Sequence, residues 1–322
     1  MYKTSMFDYL ITKIHEAPFR SKPFKHVHID DFFSKEDFKA ITCNSEITIK
    51  ECFTDRELFS QLFQNNYQVI SFPGCTTDYN EYISKRSKGE SLKSHTACES
   101  AGIVLRLQPR TSILIALNEF LASEEFNSAI AAKFGIDFNS CNIDGGIQKY
   151  LDGYEISPHP DIRKKAATFM VNINPDKDSE SRNHHTHYLK FKPDYSYIED
   201  FWTENQDAER QWVPWEWCTT EFMQTTNNSI VLFSPSNNTM HGVKAEYDHL
   251  STQRTQLYGN LWYSCDETLY TPSWEQLAVE DFRKPNRNIS LLKNLFRPIS
   301  EFGRSAVKRF TVNDPNIKDR GY

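Results

Sequence analysis

The chain has 322 residues, 39% of them hydrophobic and 25% charged, with a formal net charge of −6 at pH 7. That composition fits a soluble globular protein and excludes collagen-like, low-complexity and disordered classes. No apolar run approaches the roughly 18 residues of a membrane span, and a net negative chain gives no reason to expect nucleic acid as a partner. The start, MYKTSMFDYLITKIHEAPF, lacks a continuous apolar core and a small-residue cleavage site, so no secretory signal is expected. The 7 cysteines (43, 52, 75, 98, 141, 218, 265) are scattered, odd in number and free of CxxC pairs, which predicts reduced thiols in a cytoplasmic protein.

In chain order, PFKHVHIDDFFSKEDFKAI (23–41) predicts a short strand and then a helix, with Ser34 as N-cap and Asp37 completing an imperfect capping box. Residues 50–100 carry turn signals (FPGCTTDYN) and a polar loop (SKRSKGESLKSH). TSILIALNEFLASEEFNSAIAAK (111–133) predicts two helices broken near Ser123. After Gly145 the texture changes. GGIQKYLDGYEISPH, AATFMVNINP, HTHYLKFKP, SIVLFSPSN, MHGVKAEY and RTQLYGNLWYS are short, turn-bounded and rich in β-formers. Together they predict an all-β sandwich or barrel core over about 145–265. An aromatic, acidic insertion at about 194–228 interrupts the core and is too long for a passive turn. The helices are expected to pack on the β core, making residues 1–282 one domain. Residues 283–322 hold ten Lys/Arg against three Asp/Glu, a local charge of +7 that leaves −13 for the rest. A docking helix with a solvated basic face is the favoured expectation there, with weak contact to an anionic surface as the alternative.

The stretch SPHPDIRKK (157–165) sets His159 and Asp161 two residues apart. In an extended chain such residues share a face, and Pro160 disfavours helix for His159. Both side chains are therefore expected to aim at one point, as metal ligands do, which raises the question of a third. His241, in NNTMHGVKA, opens a later extended stretch. Thirteen residues on, Arg254 sits in an otherwise apolar and aromatic strand, where a guanidinium needs an anionic partner or an exposed face.

His159-Pro160-Asp161, the distal His241 and the strand residue Arg254 together resemble the pattern of the Fe(II)- and 2-oxoglutarate-dependent oxygenases. PFKHVHIDDFFSKEDF also looks like the strand-helix lead-in of many such hydroxylases, so the resemblance spans about residues 23–43 and 145–265. The gap of 80 residues from Asp161 to His241 is longer than compact members show, and the aromatic insertion accounts for it.

The resemblance implies an α+β chain with a mainly β core: a double-stranded β-helix (jelly-roll, cupin-like barrel) flanked by N-terminal helices. It implies Fe(II) on His159, Asp161 and His241, with 2-oxoglutarate held by Arg254 and by a donor such as Tyr150 on the strand that also carries Gln148. O2 and a small-molecule or peptide substrate would complete the reaction. Two imidazoles and one carboxylate bind one face of an octahedral Fe(II) and leave three positions open. Related halogenases lack the carboxylate, so Asp161 implies hydroxylation.

Blander alternatives stand beside these. Tyr150 is equally explained as a core tyrosine. His184, His185 and His187 in RNHHTHYLKF lack an acidic or Cys partner for a second metal, though His187 is a candidate for lining the pocket. Trp202, Trp212, Trp215 and Trp217 suit a substrate lid or a packed cover equally. The alternative for the whole chain is a non-catalytic cupin-like protein that binds a metal or ligand.

Overall fold

A computed structural model describes residues 5–72, 75–87, 102–264 and 269–270. The basic segment 283–322 and most of the polar loop SKRSKGESLKSH lie outside the described residues. The elements run α1 (Tyr9–Glu16), β1 (Phe19–Arg20), β2 (His26–Ile29), α2 (Lys35–Thr42), α3 (Asp55–Gln64), β3 (Tyr67–Val69), α4 (Tyr79–Ser87), β4 (Val104–Leu107), α5 (Ser112–Leu121) and α6 (Glu124–Phe134). There follow β5 (Cys141–Tyr150), β6 (Glu155–His159), β7 (Lys165–Asn172), β8 (Thr186–Phe191), α7 (Tyr197–Glu204), β9 (Cys218–Met223), β10 (Ile230–Phe233), β11 (His241–Lys244) and β12 (Arg254–Tyr263).

Local chemistry sets the helix ends. Ser34 Oγ accepts from Asp37 N at 3.0 Å and starts α2. Ser123 Oγ accepts from Phe126 N at 3.2 Å, so the long helical stretch breaks there and α6 begins anew. Gly135, at φ 72°, closes α6 in the left-handed conformation that glycine adopts without penalty.

The strands form two open antiparallel sheets, one in the order β1-β2-β10-β7-β12-β5-β4-β3 and one in the order β6-β11-β8-β9. The architecture is therefore mixed α and β with large antiparallel sheets, and no closed barrel forms among the described residues. The N-terminal part is less purely helical than expected, because β1–β4 extend both edges of the larger sheet. The β core also starts earlier, at Cys141, and Cys218–Met223 is a strand of the smaller sheet, which shortens the insertion. Such short edge strands owe their existence to long-range partners, here β10 for β2 and β5 for β4.

Alternation along the strands sorts the core. On β10, Ile230 and Leu232 join the helix-side cluster with Leu10, Leu117, Phe126 and Ile130. The intervening Val231 and Phe233 meet Met170, Tyr258 and Tyr188 between the sheets. Each fully buried side chain of this kind contributes about 1.5–3 kcal/mol. Strand β12 lies between β5 and β7, with Arg254 opposite Tyr150. No helix among the described residues is long and apolar enough to cross a membrane.

Candidate metal centre and anion site

His159 ends β6 and His241 opens β11, and the two stand opposite each other in the antiparallel register. Their ring centroids are 4.3 Å apart. Asp161 returns to the same point, but not by strand alternation as the sequence suggested. The strand ends at His159, and Asp161 has φ 64°, in the left-handed region that aspartate tolerates better than most residues. The turn is held from outside, where Thr239 Oγ1 donates to Pro160 O at 2.9 Å. Asp161 Oδ1 lies 3.4 Å from His159 Nε2, and Oδ2 lies 3.8 Å from His241 Nε2. One ligand atom from each residue falls within 4.8 Å of the others, and among the described residues no other His/Cys/Asp/Glu group does this.

The surroundings hold each of these groups in its ligating form. His159 Nδ1 sits 2.8 Å from Ser157 O, and His241 Nδ1 sits 2.9 Å from Thr239 O. A carbonyl only accepts, so both Nδ1 atoms carry a proton, and each ring presents its Nε2 to the cluster. Burial, then neighbouring His159, lowers the pKa of His241 to about 3 and keeps it neutral. Burial alone would push the Asp161 carboxyl up. Lys165, followed by the two histidines, overcomes that and holds it well below the usual carboxylate range. Lys165 Nζ donates to Oδ1 at 2.7 Å, and Thr168 Oγ1 donates to Oδ2 at 2.8 Å. Two imidazoles and one carboxylate suit a divalent iron with open positions. Lys165 and Thr168 escaped the sequence reading, since Thr168 lies in a run that reads simply as an apolar strand.

Arg254 is 2% exposed. Its Cζ lies 4.6 Å above the Tyr150 ring and 6.0 Å from that of Tyr154. Nη2 donates to Thr186 Oγ1 at 3.0 Å, while Nη1 is buried without a partner. No carboxylate among the described residues pairs with it. A buried guanidinium lacking a counterion is costly, and its free donors mark a place for an anion. Thr186 is two residues along β8 from Tyr188, which stands opposite His241. That separation is about 7 Å of strand, so the unpaired guanidinium and the triad share one intersheet space.

Tyr150 supports this arginine through its ring. With the Gln148 amide turned so that its oxygen accepts from Arg106 Nε (3.2 Å) and Nη2 (2.7 Å), its nitrogen donates to Tyr150 Oη at 2.6 Å. In that orientation the Tyr150 hydroxyl accepts from Gln148 and keeps its own proton free to donate.

His187 does not line this space. It alternates with Thr186 and Tyr188, packs its ring on Trp215 at 5.3 Å, and places Nδ1 3.0 Å from Thr220 Oγ1. Burial, then the Arg254 charge, lowers the pKa of His184 to about 2 and of His185 to about 4. Both therefore stay neutral, and neither joins a metal cluster among the described residues. Three of the insertion's tryptophans, Trp202, Trp215 and Trp217, make contacts with neighbouring elements. Trp202 is buried against Phe191, and Trp217 stacks on Tyr195 at 4.7 Å. Trp215 Nε1 donates to Glu155 Oε1 at 2.8 Å.

No family model and no curated protein matches the chain. Several solved structures are similar to it at low levels. A Pseudomonas putida prolyl-4-hydroxylase is 11% identical, covering 80% of this chain and 99% of its own, with a TM-score of 0.37. A 2OG-Fe(II) oxygenase family oxidoreductase from Burkholderia pseudomallei is 10% identical over 67% of this chain and 93% of its own, with a TM-score of 0.27. The non-heme alpha ketoglutarate dependent epimerase SnoN from nogalamycin biosynthesis is 12% identical over 83% and 85%, with a TM-score of 0.30. Likenesses this distant carry no functional weight, which rests instead on the chemistry of the site.

Proposed function

We propose that the chain is an Fe(II)- and 2-oxoglutarate-dependent oxygenase that hydroxylates a C–H bond of a polar substrate of amino-acid, peptide or sugar type. The observation that carries this is a buried guanidinium, without a counterion among the described residues, in the same intersheet space as a donor set of two histidines and one aspartate. The strand order supports a jelly-roll reading of the core. Strands β5, β12, β7 and β10 are contiguous in one sheet, and β6, β11, β8 and β9 make up the other, the alternation of a two-sheet Greek-key roll.

His159, Asp161 and His241 would hold the iron, and Arg254 the far carboxylate of 2-oxoglutarate in a bidentate grip. When bound, iron and co-substrate supply O2-dependent oxidation, with succinate and CO2 as co-products. The chain's own residues position and shelter that chemistry. Ser157 O and Thr239 O fix the two imidazoles, while Lys165 and Thr168 fix the carboxylate. Phe233, 4.9 Å from the His241 ring, and its apolar neighbours Met170, Tyr188 and Tyr258 limit water. Asp161 fills the position that halogenases leave to chloride, so hydroxylation is the expected outcome.

The test is the visible charge-transfer band expected when Fe(II) and 2-oxoglutarate are added without oxygen, followed by succinate release in air. His241→Ala should lose both while still melting cooperatively. A metal-binding protein of cupin type without catalysis would take up metal but show neither band nor succinate. That result would reject the proposal.

A further inference from the structure

A second arginine lies beside the metal ligands with nothing to bind. Arg210 belongs to the segment between α7 and β9, and that segment is tied along the turn carrying His159 and Asp161. Val213 N donates to Pro158 O at 2.7 Å, and Arg163 N donates to Glu209 Oε1 at 2.8 Å. The Arg163 guanidinium reaches back to Ala208 O through Nε at 2.9 Å and to Trp202 O through Nη2 at 2.6 Å. Arg210 is thus held between anchors on both sides, close enough to Asp161 to feel its charge.

Its guanidinium is left over by every local arrangement. Arg210 is 5% exposed, and its Nε is buried without a partner. Its side chain makes no hydrogen bond or ion pair among the described residues. The adjacent acid is already engaged, because Glu209 Oε1 accepts from both Arg163 N (2.8 Å) and Arg210 N (2.7 Å). Burial, then the Arg163 charge, lowers the pKa of Arg210 to about 10, while Asp161 and Glu209 act in the opposite direction. A guanidinium stays protonated at neutral pH even so. A largely buried positive charge therefore lies close to Asp161 with no partner for its guanidinium among the described residues, an arrangement that an arriving anion would stabilise.

We infer that Arg210 is a substrate-binding residue that clamps a carboxylate of the substrate on the Asp161 side of the metal centre. A single unmatched guanidinium complements a monoanionic, planar carboxylate. The neighbouring arginine, Arg163, directs most of its donors to Ala208 O, Gln206 Oε1, Trp202 O and Asn205 O and so offers little to a dianion. The inference rests on the oxygenase reading and narrows it from any polar substrate to an acid: an amino acid, an acidic or C-terminal peptide group, or a sugar acid. Arg254 would hold the co-substrate and Arg210 the substrate.

The test is calorimetric titration of the full chain loaded with Mn(II) and 2-oxoglutarate under argon. The probes are phenylacetate, N-acetylglycine and glucuronate, each against its own carboxamide. Carboxylates should bind roughly tenfold or more tightly than their amides. Arg210→Gln should erase that preference and Arg210→Lys should recover part of it. Binding of 2-oxoglutarate should be unchanged in Arg210→Gln and lost in Arg254→Gln. Equal affinity for acid and amide in the unaltered chain overturns the inference. So does a carboxylate preference that survives in Arg210→Gln, or a variant that loses melting temperature with probe affinity unchanged, as a purely structural arginine would. If the unaltered chain takes up no 2-oxoglutarate yet still separates acid from amide, the oxygenase reading falls and the clamp stands. The reverse pattern discards the clamp alone.

Discussion

Replacing Arg254 by methionine should leave the ligand-free chain nearly as stable as before, or more stable, while removing its hold on 2-oxoglutarate. The guanidinium gives up its place over Tyr150, worth about 2 kcal/mol when desolvated, and its 3.0 Å bond to Thr186, worth about 1.5–3 kcal/mol. Against this, an uncompensated buried charge disappears, and that charge costs several kcal/mol. Methionine keeps the apolar stem and fills the space adaptably. The balance lies within about 2 kcal/mol of zero, a change of a few degrees in Tm. Binding behaves differently. Without its cationic partner the far carboxylate loses about 3–5 kcal/mol, so the half-saturating 2-oxoglutarate concentration should rise on the order of a hundredfold or more. The assay is a set of anaerobic thermal melts with Mn(II), with and without 2-oxoglutarate. At about 100 times Kd the co-substrate should stabilise the unaltered chain by about 2.7 kcal/mol, and the variant by about 0.4 kcal/mol or less. A ligand-free variant that melts more than about 10 °C lower would show that Arg254 holds the fold together. An unchanged half-saturation point would remove it from the co-substrate site.

Three other substitutions probe the supporting structure. Thr168→Val keeps the shape but deletes the 2.8 Å bond to Asp161 Oδ2, so Mn(II) affinity should fall about tenfold; unaltered affinity would mean that Lys165 positions the carboxylate alone. In Gly242→Ala the new Cβ would lie 2.9 Å from Trp215 Cη2 and 3.0 Å from Ile156 O. The carbonyl cannot retreat from the sheet, so about 1–3 kcal/mol of stability should be lost, with a shift in tryptophan fluorescence; an unchanged Tm would show that the sheet yields there. Lys149 is fully buried with Nζ on Thr255 Oγ1 at 2.8 Å, and burial lowers its pKa to about 7 from 10.5. Between those values the unfolded chain binds a proton that the folded chain has shed, so this group makes stability rise with pH across that window. Lys149→Met should therefore stabilise most at and below about pH 7, on the order of a few kcal/mol, and least near pH 10, as denaturant melts at the two ends would show. An equal effect at both ends would mean that the amine is not desolvated.

The sequence carried the local decisions. Ser34 and Ser123 announced helix starts because a cap is a contract between residues three apart. The strands of the β core were legible from alternation and turn residues, since a half-buried strand writes its two faces into successive positions. The order of His159, Asp161, His241 and Arg254 was equally plain, and the structure brings the first three to one point.

What only the tertiary structure decided depends on partners distant in sequence. The path of Asp161 is a left-handed turn held by Thr239 and not a continued strand, and nothing in His-Pro-Asp distinguishes the two. Strands β1–β4 exist because β10 and β5 offer them edges. That Tyr150 meets Gln148 through its hydroxyl and Arg254 through its ring is likewise a tertiary fact. That Arg254 and Arg210 have no counterion among the described residues is the least legible feature of all. The sequence records which charges are present, but whether a charge is matched depends on every residue packed around it, and that is settled only when the sheets close.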